Sequence, residues 1–131
     1  MDQRRSVNFL SSLALALCGA GLALHLYTIV FKASGGLNFF LVALFLWSCA
    51  PYAVAAVLAR FTPTRALAVG AAAACMVADT FMHYSVFIAP KGSTAALGLL
   101  FMPMWNLVAI GPVGALLAWL AIKLQARRAI A

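Results

Sequence analysis

The apolar residues of this chain run on without the alternation of a strand. Four long stretches, at about 7–31, 37–59, 66–88 and 94–122, consist mostly of Leu, Ala, Val, Phe, Ile and Met. A helix needs about 20 mostly apolar residues to cross roughly 30 Å of hydrocarbon, and each stretch meets that length. The connectors 32–36, 60–65 and 89–93 hold the breakers: Gly35, Gly36, Pro63, Pro90 and Gly92, with Ser34, Thr62 and Ser93. Such clusters are loop chemistry, and a proline there stops or starts a helix. Ser93 or Thr94 offers an N-cap for the fourth helix. A membrane β-barrel would need apolar and polar positions alternating over about ten residues, and they do not alternate here. The pattern predicts an all-α membrane protein, an up-down four-helix transmembrane bundle in which 1–131 forms one domain. Short loops make consecutive helices antiparallel neighbours.

Composition narrows the class further. Of 131 residues, 66% are apolar and 8% charged, against about 25% charged in a soluble domain. Polar side chains are too few to cover a soluble surface, and disorder requires low hydrophobicity. The net charge of +7 invites a nucleic-acid reading, because basic patches bind phosphate. The positions argue otherwise. Arg4, Arg5, Arg60, Arg65, Lys123, Arg127 and Arg128 fall on one side of a four-span threading, and Lys32 and Lys91 on the other. That bias is the positive-inside signal. It puts both termini in the cytoplasm and the chain in a bacterial-type inner membrane, with the lipid bilayer as its first partner and nucleic acid excluded.

The first stretch is not read as a cleaved signal, because its apolar run exceeds the usual 7–15 residues. Leu17 is too bulky to precede a lipoprotein cysteine at Cys18, and Ser6-Val7-Asn8 after Arg4-Arg5 does not build a twin-arginine signal. Small residues predict close helix packing: Ala14, Cys18 and Gly21 on the first helix, Gly70, Ala74 and Ala78 on the third. Pro103 and the run Gly111-Pro112-Val113-Gly114 predict bends in the long fourth helix.

The candidate chemistry centres on Asp79, the one acid inside a span. A carboxylate at the bilayer centre costs at least ~2.5 kcal/mol, so such a residue faces the bundle interior. His83 lies four residues on, on the same helical face, and Asp79 is expected to orient its imidazole. At 1.5 Å per residue, Asp79 lies about 13 Å from the outer end, His83 about 8 Å and His25 about 9 Å. Asn106 lies about 16 Å in. Asp79, His83, His25 and Asn106 thus form the candidate polar intramembrane site. Tyr27 and Tyr84 fall in the outer aromatic belt. Met102, Pro103 and Tyr52 are candidate cavity-lining residues, Tyr52 supplying a hydroxyl at the Pro51 kink. The bland counterpart is polar glue between helices, worth roughly 0.6 kcal/mol per bond.

Other chemistries find less support. His25 and His83, at one depth on parallel helices, are the only pair that could ligate a single b-haem. Those two with Asp79, and Met102 or Cys49 nearby, are the only metal set. Neither has a close-spaced motif, and no cofactor is expected. Cys18, Cys49 and Cys75 form no Cys-x-x-Cys pair and read as small packing residues. No nucleophile–base set, Gly-rich phosphate loop or paired carboxylate is present, so an enzyme is not expected. The four-span plan resembles that of small multidrug exporters, but those carry a Glu in the first span, which here has no acid. Tetraspan immunity proteins are of comparable size. Both likenesses are architectural and imply no family.

Two function classes remain. One is an accessory or immunity-type subunit that binds another membrane protein through its helix faces. The other is a small transporter or channel, homo-oligomeric because four spans are thin for a pore. It would use Asp79 as the proton- or cation-binding group and His83 as relay.

Overall fold

A computed structural model describes residues 2–32, 36, 38–90, 92 and 97–128. Among these the chain is all-helical. Helix α1 spans Asp2–Tyr27 and continues into a π-helical turn, Thr28–Lys32. Helices α2 and α3 span Phe39–Phe61 and Arg65–Phe87. The fourth span is built in three pieces: α4 (Leu97–Trp105), a π-helical turn (Asn106–Ile110) and α5 (Gly111–Arg128). Four helical stretches are long and apolar enough to cross a bilayer: Ser6–Lys32, Phe39–Phe61, Arg65–Phe87 and Leu97–Arg128. This is the build of a multi-pass membrane protein.

The expected spans shift at their edges. Helix starts before residue 7 in the first span, and the fourth runs on to Arg128 instead of ending near 122. Polar residues extend a helix freely once it leaves the apolar layer, so hydropathy marks the layer and not the helix. The second helix starts two residues late because Asn38 caps it, its side chain accepting from the Leu41 amide at 2.9 Å. Thr62 closes the other end, its hydroxyl donating to the Leu58 carbonyl at 2.6 Å, and Pro63 follows. The expected caps Ser93 and Thr94, and Lys91, lie outside the described residues.

Helix α3 is the hub, packing against α1, α2 and α5. Its small residues let three neighbours approach. Ala68 joins Ala14 of α1 and Ala59 of α2 in one buried cluster, while Ala71, Ala72 and Cys75 join Cys18, Tyr52 and Ala55 in the next. Gly70 faces Gly114 of α5 so closely that a methyl group on either would overlap the other's backbone carbonyl. Gly21 plays a comparable part on α1, where an added methyl would run into the Tyr52 ring. The expected α1 set Ala14, Cys18 and Gly21 is buried; on α3 the expected Gly70 and Ala74 pack closely on Gly114 of α5, and Ala71, Ala72 and Cys75, not Ala78, complete the core.

The outside of the bundle is apolar. Phe39, Val77 and Val108 are 89%, 71% and 73% exposed, while His25, Ser48, Asp79, His83 and Asn106 are buried. A chain that turns large apolar side chains outward and hides its polar ones is arranged for lipid. Near the ends, Lys123 lies over the Trp119 ring at 4.0 Å, a cation–π contact suited to an interface.

The predicted bends in the fourth span take a specific form. Pro103 cannot serve the carbonyl of Leu99, and the Trp47 indole of α2 donates to the adjacent Leu100 carbonyl at 3.1 Å. The π turn follows, closed by the Gly111 amide donating five residues back to Asn106. Pro112 has no amide to give, which favours relaxing the ladder here. A π turn adds a residue to the local repeat and so re-aims the side chains that enter it. Here it points Asn106, 2% exposed, into the bundle.

Candidate functional site

Asp79 is 1% exposed, and its carboxylate takes one hydrogen bond from each of the other three spans. The Tyr52 hydroxyl of α2 donates to Oδ2 at 2.6 Å. His25 Nε2 of α1 lies 3.1 Å from the same oxygen. Asn106 Nδ2 donates to Oδ1 at 2.8 Å. Tyr52 and Asn106 are donors toward the carboxylate, and His25 is a third when its Nε2 carries the proton, an arrangement that suits an acceptor-only group. An isolated charge in this setting would be very costly. Three donors from three helices offset much of that cost and couple the helices' positions to it.

The structure brings His25, Asp79 and Asn106 into direct contact. His83 is brought close but in another role, which corrects the expected pairing. Its Nδ1 donates to the backbone carbonyl of Asp79 at 2.7 Å, not to the carboxylate. The i, i+4 spacing that seemed to pair the two side chains also puts the ring over the carbonyl of its own preceding turn. A carbonyl can only accept, so Nδ1 holds the proton and Nε2 of the neutral ring is an acceptor. That Nε2 is buried without a hydrogen-bond partner, as is Asn106 Oδ1.

Tyr52 was expected to line a cavity beside a kink; it makes the shortest bond to Asp79. Its Cα lies about 20 Å from the start of its helix at 1.5 Å per residue, deeper than Asp79. Side chains in a helix lean toward its N-terminus, however, which for α2 is the end from which Asp79 is counted. The long phenol therefore reaches back to the carboxylate. Beneath it Gly21 leaves room for the ring, and Cys18 Sγ donates to the Tyr52 carbonyl at 3.4 Å. Met102 and Pro103 are buried by packing. Neither they nor Tyr52 lines the cavities described next.

Two cavities flank the carboxylate's partners. One, of about 30 Å³, is lined by His25, Thr28, Ser48 and His83 with four apolar neighbours. It has room for a water and several polar groups to hold one. The other, of about 100 Å³, lies toward the opposite end and is lined by Pro51, Leu58, Cys75, Asn106 and Gly111 among others. Two half-open clefts of about 470 and 330 Å³ lie beyond the smaller cavity and share Thr28, Lys32 and Phe87.

The axial haem arrangement does not fit. The His25 and His83 rings are 5.3 Å apart centre to centre, with no slot for a macrocycle between them, and His25 Nε2 is committed to Asp79. Among the described residues no three or more His, Cys, Asp or Glu side chains group as a metal site. Cys18 and Cys75 each donate to a backbone carbonyl, that of Tyr52 and that of Asn106 at 3.8 Å, which is packing chemistry. No protein family model, curated protein or solved structure matches the chain.

Proposed function

We propose that the chain is a small proton-coupled carrier of a bacterial inner membrane, working as a homo-oligomer, with Asp79 as the group that binds and releases the proton. One observation carries this reading: Asp79 lies between two cavities, and each is lined by one of its own hydrogen-bond partners. His25 opens on the cavity shared with His83, and Asn106 opens on the other. A proton arriving by the His83 side meets Asp79 through His25 and leaves past Asn106. Delivered through His25, the proton passes from Nε2 to Oδ2 and Nε2 becomes the acceptor of the new Oδ2–H, so the His25 contact reverses, while Tyr52 and Asn106 lose their charged acceptor and hold α2 and the fourth span less tightly. Proton binding is thereby coupled to helix position, which is what a carrier needs. The reading is non-enzymatic.

Orientation follows from charge. The start of α1 lies beside the α2–α3 junction, where Ser11 donates to the Ala59 carbonyl at 3.3 Å and Arg65 also donates to Ala59. Arg60, Arg65 and the basic residues of both chain ends then share one face, which the positive-inside rule assigns to the cytoplasm.

The test is proton uptake into proteoliposomes driven by a potassium diffusion potential and read with an entrapped pH dye. The wild type should acidify the lumen faster than protein-free vesicles. Asp79→Asn, which keeps the size and the acceptor oxygen, should fall to the protein-free rate. Equal uptake by the two proteins would sink the reading.

A second reading, an accessory or immunity-type subunit bound to another membrane protein, draws on a different observation. Ser12, Ala16, Gly19, Ala20 and Ala23 form a smooth exposed strip on α1, and a methyl on Gly19 would meet nothing within the chain. Small residues let a second helix approach closely. Gly19→Leu should leave the fold intact yet abolish stoichiometric co-purification with such a partner; unchanged co-purification would remove this reading.

A further inference from the structure

The cleft between α1 and α3 has features that the carboxylate site does not use. It holds about 330 Å³ and is half open to the outside of the bundle. That volume is within the usual range for small-molecule sites. Its walls are apolar and aromatic, from Leu24, Tyr27, Tyr84, Phe87 and Ile88, and Lys32 stands among them. The Lys32 ammonium also lies 6.0 Å from the Tyr27 ring centre. His83 lines this cleft as well as the small polar cavity, and its ring packs against Phe87 with centres 6.0 Å apart.

His83 is 8% exposed and its Nε2 has no partner. Because Nδ1 is held by the Asp79 carbonyl, the free nitrogen can only accept. A buried acceptor without a donor is costly and calls for one. We propose that this cleft binds a membrane-soluble phenol, a flat aromatic body whose hydroxyl donates to His83 Nε2 once a small tilt of the imidazole opens that buried atom to the cleft. The aromatic walls suit a flat ring better than an acyl chain, because ring pairs gain from edge-to-face and offset contacts. An ammonium at the rim favours an electron-rich ring through a cation–π contact. A carboxylate ligand is disfavoured at His83 itself, since an ionised carboxyl brings no proton to an acceptor. The proposal goes beyond the carrier reading and does not depend on it, because Asp79 keeps all three of its own bonds with the cleft filled.

The chain has two histidines, so histidine-selective ¹⁵N labelling gives two ring systems to follow. The labelled full-length protein is reconstituted in lipid nanodiscs and titrated with 2-naphthol, then with 2-methoxynaphthalene, which has the same body and no donor. The expected result is a saturable upfield shift of the acceptor nitrogen of His83 with 2-naphthol alone, with the His25 nitrogens unmoved. Thr80→Trp, which fills the lip of the cleft, should abolish the response. Thr80 is exposed and its hydroxyl bonds only the Met76 carbonyl, so the carboxylate site is untouched. Equal shifts with both probes would mean that the cleft takes apolar bodies, lipid chains included, without reading a hydroxyl. No shift, or a shift that survives Thr80→Trp, overturns the proposal equally. Loss of proton uptake in Asp79→Asn leaves these outcomes unaffected, so the two readings fail separately.

Discussion

The two halves of the bundle are held together by different means. Around Ala14, Ala59, Ala68, Gly70 and Gly114 the helices touch backbone to backbone, with methyl groups and hydrogens as the only spacers. Around Asp79 they stand off on long polar side chains, and Tyr52, His25 and Asn106 span the gap. In lipid there is no hydrophobic force between helices, so association rests on close packing and interhelical hydrogen bonds. The first half uses packing, which has one fitting arrangement and no switch. The second uses bonds to one titratable group, which can be made and broken. Gly21, under the Tyr52 ring, lies where one kind of contact gives way to the other.

The largest effect should come from the rigid half. Gly70→Val places side-chain atoms on the Gly114 carbonyl and the Ala118 methyl. The first is main chain and cannot rotate away, so α3 and α5 must separate. Overpacking of this kind costs about 3 kcal/mol. The midpoint for unfolding in SDS should fall sharply, and proton uptake should be lost with the fold. A Gly70→Val protein of wild-type stability would erase the distinction between the halves.

Tyr52→Phe tests the breakable half with a smaller change. The ring stays, the packing over Gly21 stays, and one 2.6 Å bond to Asp79 is removed. Buried membrane hydrogen bonds average roughly 0.6 kcal/mol and reach about 1.7; a short bond to a charged acceptor belongs near the upper figure. The unfolding midpoint should move modestly while uptake falls severalfold, because the clamp on α2 is gone. Uptake unchanged beside a stability loss would make the phenol a strut and nothing more.

The contrast also explains which features are legible in the amino-acid sequence. Spans were legible because apolar runs directly reflect the thickness of hydrocarbon. The meeting of His25, Asp79 and Asn106 was legible because depth follows from residue count on straight antiparallel helices. Tyr52 was expected only to line a cavity beside the Pro51 kink, since counting locates Cα atoms and a phenol reaches a full turn away toward its helix N-terminus. His83 was paired with the wrong atom of the right residue, because i, i+4 spacing serves the backbone carbonyl as well as the side chain. The π turn at Asn106 was foreshadowed by Pro103 and Pro112 only as a bend. Its register depends on packing against Cys75 and on the Gly111 amide reaching back five residues, neither of which a local pattern encodes.

The smallest expected effect lies outside both halves, at the rim of the fourth span. The Trp47 indole donates to the Leu100 carbonyl, beside the gap that Pro103 leaves in the helix ladder. The ring is substantially exposed, so Trp47→Phe removes little packing, and the loss should be about 0.6 kcal/mol, the average membrane value. If the fourth span is positioned by Asn106 at the carboxylate, this change should lower the unfolding midpoint slightly and leave proton uptake intact. If uptake instead falls as far as it does in Tyr52→Phe, α4 is held from its rim. The π turn would then serve to bring Asn106 to a helix already fixed, and the breakable half would begin at Trp47 and not at Asp79.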